Sequence, residues 1–192
     1  MQTGEVAGGI RDWIAAISAL VATVALVFGI VQYVAAQRWR RAEFVAQKLS
    51  EFEGNPDVQN ALTMMDWSGR TIWLNVGDTA TATPVRVTHE ALARILVHHS
   101  ERAFSDTEAA VRDCFDHLLD GLERFEHFIE AGLVTPEEFR PYLGYWTNLM
   151  RAPGIAAGNT EASVDWRTSL SRYMEYYEYS GVQRLIQRLR PG

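Results

Sequence analysis

The chain has 192 residues, a formal net charge of −6, five histidines and one cysteine, with 47% apolar and 22% charged residues. An acidic chain with no long basic run lacks the electrostatic footprint of a nucleic-acid binder. A lone cysteine, Cys114, excludes an internal disulfide and fits a reducing compartment.

The first feature in chain order is "WIAAISALVATVALVFGIVQYVAAQ", Trp13 to Gln37, with no charged residue between Asp12 and Arg38. A helix rising 1.5 Å per residue needs about 20 residues to cross a hydrocarbon core of about 30 Å, so residues 13–37 read as a transmembrane helix. Trp13, Tyr33 and Trp39 fall where aromatic side chains favour the headgroup region. A cleaved signal peptide is the competing reading, but the apolar run exceeds the usual h-region of about 7 to 15 residues, and the preceding stretch carries Glu5 and Asp12 against one Arg11. Arg38, Arg40, Arg41 and Lys48 crowd the C-terminal flank, so the positive-inside rule places residues 1–12 outside and the rest in the cytoplasm of a bacterial inner membrane. The lipid bilayer is the first expected partner, and the arginines suit anionic headgroups at about 1 kcal/mol per charge.

Within the span, Ala15, Ser18, Ala22, Ala25, Gly29, Gln32 and Ala36 fall on one side of a helical wheel, with Leu20, Val24, Val27, Val31 and Val34 opposite. Small residues let helix backbones approach closely in lipid, so the first set is the expected interface if the span self-associates.

Beyond the arginines, Ala42, Val45, Leu49 and Phe52 keep a helical period, predicting that the span continues as a juxtamembrane helix over 38–54. Asn55 and Pro56 are N-cap and first-turn signals for a second helix. Residues 68–88 lose the period and hold Gly69, Gly77, Pro84 and four threonines, with "TIWL" the one strand-like fragment; they read as a long loop. Thr88 and Ser105 are N-cap signals for two further helices.

The second of these is the clearest element. Val111, Phe115, Leu118, Leu119, Leu122, Phe125, Phe128 and Ile129 make an apolar stripe, and Asp113, Asp116, Asp120, Glu123, Glu126 and Glu130 read as its solvated side. Gly132 is placed to end it, and "TPEE" from Thr135 to Glu138 to begin the next helix. A breaker-rich stretch, "RAPGIAAGNTEAS", precedes two closing helical segments. The fold class expected for 55–192 is therefore all-α, a cytoplasmic helical bundle.

Chemical signatures are weak. Asp113 with His117, and Glu123 with His127, share a helix face at i, i+4, but a carboxylate-bridged di-metal bundle needs Glu-x-x-His motifs from two helices. Cys114 and His117 fit i, i+3, where a thiol on an apolar helix reads first as core. There is no glycine-rich phosphate loop and no nucleophile elbow, so the sequence predicts neither an enzyme nor a cofactor. Trp166, Tyr173, Tyr176, Tyr177 and Tyr179 form a dense aromatic group, the candidate partner surface for another protein or a second copy. The alternative readings are a ligand-gated membrane effector, whose cytoplasmic domain senses a small molecule of unknown identity with a nucleotide signal among the candidates, and, less favoured, a membrane-anchored enzyme.

The segments "RRAEFVAQKLSEFEGNPDVQNALTMMDWSGR" and "RDCFDHLLDGLERFEHFIEAGLVTPEEFRPYLGYW" resemble a family of bacterial single-span membrane proteins with a helical cytoplasmic domain of unknown function. The resemblance implies the architecture and brings no activity or site residues.

Overall fold

The computed structural model describes residues 3–77, 81–151 and 165–190, with side-chain detail at Trp13 and from Ile17 onward. The stretch Ala152 to Ser163, read above as a loop, and the side chain of Ala15 lie outside the described residues. In chain order the elements are α1 (Thr3–Glu53), α2 (Pro56–Asp66), β1 (Arg70–Asn75), β2 (Ala82–Val87), α3 (His89–Ile95), α4 (Asp106–Glu130), α5 (Pro136–Met150), α6 (Trp166–Tyr176) and α7 (Ser180–Arg188). The chain divides into two compact units, residues 1–44 and 45–192.

The described residues of the first unit are all in α1. Its apolar side chains are uncovered, from Ile17 at 56% exposure to Val34 at 42%. Ser18, Ala22, Ala25, Gly29 and Gln32 are exposed with them, and a Cβ on Gly29 would meet nothing within 4 Å. This long apolar N-terminal helix is compatible with a membrane anchor or a signal sequence.

The second unit begins in the last turns of α1, where Val45, Leu49 and Phe52 are buried. Asn55 caps α2 by accepting the N–H of Asp57 at 2.9 Å, with Pro56 in the first turn. α4 is the axis of this unit: α2 and α7 pack along it, and α3 and β1 touch it. Ser105 and Glu108 close the capping box at its start. Its end is a Schellman motif, in which Leu133 N–H reaches Phe128 O (3.1 Å) and Gly132 N–H reaches Ile129 O (3.0 Å). Gly132 takes φ +68°, a value that costs any side chain strain. Phe115, Leu118, Leu119 and Leu122 from the predicted stripe are essentially inaccessible, each contributing about 1.5–3 kcal/mol by burial.

Three expectations are corrected. The stretch read as a loop, 68–88, contains two strands: β1 and β2 pair antiparallel with Trp73 opposite Pro84, so the domain is mostly helical with a two-stranded hairpin. Ile72 and Leu74 turn inward onto the helices, which is what a short strand needs for stability. Gly69, at φ +76°, gives its N–H to Val87 O, the arrangement of a glycine bulge that closes the hairpin's open end. Asn60 Nδ2 satisfies Trp73 O at 3.0 Å, while Pro84 has no N–H to offer a further strand.

Second, Glu126 is not on a solvated face. It is fully buried, because α7 lies against that side of α4 and brings Arg188 Nε to 2.8 Å and Arg184 Nε to 3.6 Å. Third, Trp166 (2% exposed) and Tyr173 (1%) are core side chains and cannot belong to a partner surface; the packing of α6 on α3 and α7 encloses them.

Candidate functional site

Helices α3 and α6 are each set by a capping residue. Thr88 Oγ1 accepts Ala91 N–H at 3.1 Å, and Asp165 Oδ1 accepts Arg167 N–H at 3.1 Å. The two helices lie in contact, pinned where Ser169 Oγ donates to Ala93 O at 2.9 Å. Between them opens a groove of ≈ 660 Å³, with Ala93 and Val97 as apolar lining and Arg94, Arg102, Arg172 and Glu90 among its polar side chains. Arg102 is ion-paired with Glu108 and lies 4.7 Å from the Phe104 ring centre. That pair also holds the Glu108 carboxyl below its ordinary value, mainly through the Arg102 hydrogen bond. Glu101 Oε1 accepts the N–H of His98 at 3.3 Å. Arg94 and Arg172 have no carboxylate partner among the described residues.

Behind the groove is a buried cation. Arg112 on α4 is 9% exposed, and its Nη1 donates to Ile95 O (2.9 Å), a carbonyl at the end of α3, and to Val97 O (2.7 Å) just beyond it. Its guanidinium lies 4.4 Å from the Phe104 ring centre, 4.9 Å from Tyr173 and 5.7 Å from Tyr177. An aromatic enclosure of this kind suits a delocalised, weakly hydrated cation.

Tyr177 links this cation to the surface. Its hydroxyl oxygen receives Arg112 Nη2 (2.9 Å) and the main-chain N–H of His99 (3.2 Å), and sits 3.0 Å from His99 Nδ1. With both lone pairs engaged, the hydroxyl donates its proton to Nδ1, so neutral His99 carries its own proton on Nε2. His98 Nδ1 accepts from Ser100 N–H (3.3 Å) and Ser100 Oγ lies 2.7 Å away, which assigns it the same tautomer. The two imidazoles lie 4.1 Å apart with their Nδ1 lone pairs already used, an arrangement for packing rather than metal capture.

On the other side of Arg112, Asp116 accepts Tyr173 Oη at 2.6 Å and Tyr179 Oη at 3.4 Å. Burial pushes the Asp116 carboxyl above its ordinary value, opposed by the Tyr173 hydrogen bond and the charge of Arg112. Burial, reinforced by Asp116, likewise pushes the Tyr173 and Tyr179 hydroxyls up, so both act as donors at neutral pH.

The sequence-predicted aromatic group is thus divided. Trp166 and Tyr173 are interior, Tyr177 and Tyr179 are partly buried in the hydrogen-bonded network, and Tyr176 is exposed at 51%. The larger exposed aromatic surface lies elsewhere: Trp67, Trp73, Tyr142 and Tyr145 are each more than half exposed. Tyr145 donates to Asp66, which raises the tyrosine's pKa and ties α5 to the end of α2. Trp67 and Trp73 had no place in the sequence-predicted aromatic group, because one stands alone just after α2 and the other alone on β1.

The predicted histidine pairings take other partners. His117 Nδ1 meets Asp57 Oδ2 at 3.0 Å, and Glu123 binds the main chain of α7. Cys114 is 1% exposed, with its thiol pushed up by burial, as expected of a packing residue. Among the described residues no group of three metal-ligating side chains converges. Arg38, Arg40 and Arg41 are exposed on α1, while Lys48 is half-buried and paired with Glu51 at 2.6 Å.

The class defined by these features is a mostly helical domain with a two-stranded hairpin, preceded by a long apolar helix. Comparisons with protein families, curated proteins and solved structures find no match for this chain.

Proposed function

We propose that this protein is anchored in a bacterial inner membrane by residues 13–37, N-terminus outside, and that its helical domain works in the cytoplasm by docking onto a partner protein or onto its own copies. The observation that carries this reading is the uncovered apolar helix: none of its most apolar stretch is buried within the protein. A soluble protein's long apolar helix is ordinarily the covered core, so lipid is the solvent that fits this one. Arg38, Arg40 and Arg41 support the orientation. The docking role draws on Trp67 at 58% exposure and Trp73 at 62%, in a domain whose core is already filled by other aromatics. Among the described residues no convergent nucleophile and base accompany them, and the reading is of an interaction protein rather than an enzyme.

The test is a pair of reporters fused after Gly192, one active only in the cytoplasm and one only in the periplasm, together with the N-terminal sequence of the membrane-extracted chain. Cytoplasmic activity with an intact N-terminus is the expected result. Periplasmic activity, or a mature chain beginning at Gln37, overturns the topology. For docking, Trp67→Ser with Trp73→Ser is expected to lower the mass of the detergent-solubilised complex seen by light scattering; an unchanged mass removes this surface from the proposal.

A second reading, a membrane effector whose domain responds to a small molecule, is favoured by the groove between α3 and α6.

A further inference from the structure

The geometry points to the α3–α6 groove as a binding site for a small nucleotide-like anion, its phosphate on Arg94 and Arg172 and a ring N–H donor on Glu90. This goes beyond the docking role and does not rest on it.

Size sets the first limit. At ≈ 660 Å³ the groove lies within the range of about 300 to 1,000 Å³ usual for small-molecule sites. Its lining sets the second limit: Ala93 and Val97 offer apolar contact for a flat ring, with charged groups around them.

Charge then selects the ligand. The chain carries a net −6, yet this groove gathers three arginines. Arg102 is neutralised by Glu108, but Arg94 and Arg172 face the groove without a carboxylate partner. Guanidinium groups in that state match phosphate oxygens, with which they form paired charge-assisted hydrogen bonds. Two carboxylates share the lining and narrow the choice. Glu101 gives one oxygen to the N–H of His98, and Glu90, which makes no ion pair among the described residues, is the carboxylate with more acceptor capacity open. A purely anionic ligand would be repelled by Glu90, whereas a base with an exocyclic amine or ring N–H satisfies it.

The groove is also held ready. Ser169 fixes α6 to Ala93, and Arg112 fixes the carbonyl of Val97 in its lining, so the main chain around the groove is set and the ordering left to the ligand is that of the Arg94 and Arg172 side chains.

The experiment uses the full chain in a non-ionic detergent, titrated calorimetrically with AMP, GMP, CMP and UMP, with inorganic phosphate alone, and separately mixed with phosphatidylglycerol vesicles. At least one of the four nucleotides is expected to bind, more tightly than inorganic phosphate. Arg94→Gln with Arg172→Gln is expected to weaken it by about tenfold or more, since two charge-assisted contacts are lost. Both arginines are unpaired, so the double variant keeps the wild-type melting temperature, and that is measured first. Should it fail to fold, competition by inorganic phosphate and weakening with added salt in the wild type carry the same prediction. Glu90→Gln separates ring recognition from phosphate recognition: it lowers nucleotide affinity and leaves phosphate affinity unchanged or raised. No nucleotide binding to the wild type, or equal binding to the arginine variant, overturns the proposal. Vesicle binding that needs these arginines while nucleotides give none assigns the groove to lipid headgroups and overturns it too.

Discussion

The carboxylate of Glu123, in the C-terminal third of α4, accepts the main-chain N–H groups of Gly181 at 3.0 Å and Val182 at 2.9 Å, and so caps α7 from another helix. Tyr179, at the local N-cap position, makes no side-chain cap bond, leaving Glu123 to take up two of the donors that a helix start leaves open. A negative group there also complements the helix dipole. The approach is close enough that a Cβ on Gly181 would lie 2.6 Å from Glu123 Oε1.

This relationship predicts a coupled pair of variants. Glu123→Ala removes the cap and is expected to cost about 0.5–2 kcal/mol. Gly181→Ala displaces the same carboxylate and is expected to cost a similar amount. Because both destroy one interaction, the double variant is expected to lose less than the sum of the single losses. Denaturant unfolding of the four proteins measures this; additive losses would show that the two residues act separately.

Asp116 predicts a pH dependence. Burial raises its folded-state pKa above the ordinary value of 3.8, so the folded protein binds more protons than the unfolded chain across that interval. Its contribution to stability is therefore complete below the ordinary carboxylate value and is lost as pH rises through the raised one. Asp116→Asn keeps an oxygen to accept from Tyr173 and Tyr179 but cannot ionise. The melting temperature of wild type minus that of the variant is expected to fall with rising pH and then level off. A difference that is flat or rises with pH contradicts this assignment.

Helix α4 was legible in the sequence because its stripe repeats over many turns and its two ends carry local signals, Ser105 with Glu108 and Gly132. The hairpin was not. Only Ile72, Leu74 and Val87 of its two strands are buried, so the alternation that marks a strand is present in β1 and broken in β2. The buried ionic groups were hidden for a related reason. Glu126 and Arg112 look like any polar residues on an amphipathic helix, and their burial follows from α7 and α3 arriving over them, which no local pattern records. The groove has the same origin: Arg94 and Arg172 are 78 positions apart and share a surface because α3 and α6 pack together.

Gly121 predicts a second steric test, where the end of α1 meets α4. A Cβ there would come within 2.5 Å of the Phe52 ring, which is already set edge-on against Phe125 with centres 5.1 Å apart. Alanine in a helix interior ordinarily gains about 1 kcal/mol over glycine. Overpacking costs about 1–3 kcal/mol, and at this separation it is the larger effect. Gly121→Ala is expected to lower stability, and Phe52→Leu in that background to recover part of the loss. A more stable Gly121→Ala protein would show that the ring has room to move.

Arg112 gives the largest expected effect of a single side chain. It is the donor to Ile95 O, Val97 O and Tyr177 Oη, and it fills the space between the Phe104 and Tyr173 rings. Arg112→Met replaces the volume but leaves two carbonyls without their donors, at about 1–3 kcal/mol for each buried group left unsatisfied. Arg112→Lys keeps the charge, yet an ammonium cannot match the planar fork that reaches three acceptors while stacking on rings, so it is expected to rescue little. Tyr177→Phe removes one hydrogen bond at the edge of the network and is expected to cost about 1 kcal/mol. The order of melting temperatures is then wild type, Tyr177→Phe, Arg112→Lys, Arg112→Met. If Arg112→Met melts with the wild type, the carbonyls of Ile95 and Val97 are satisfied by water, and the support for a preformed groove is lost with them.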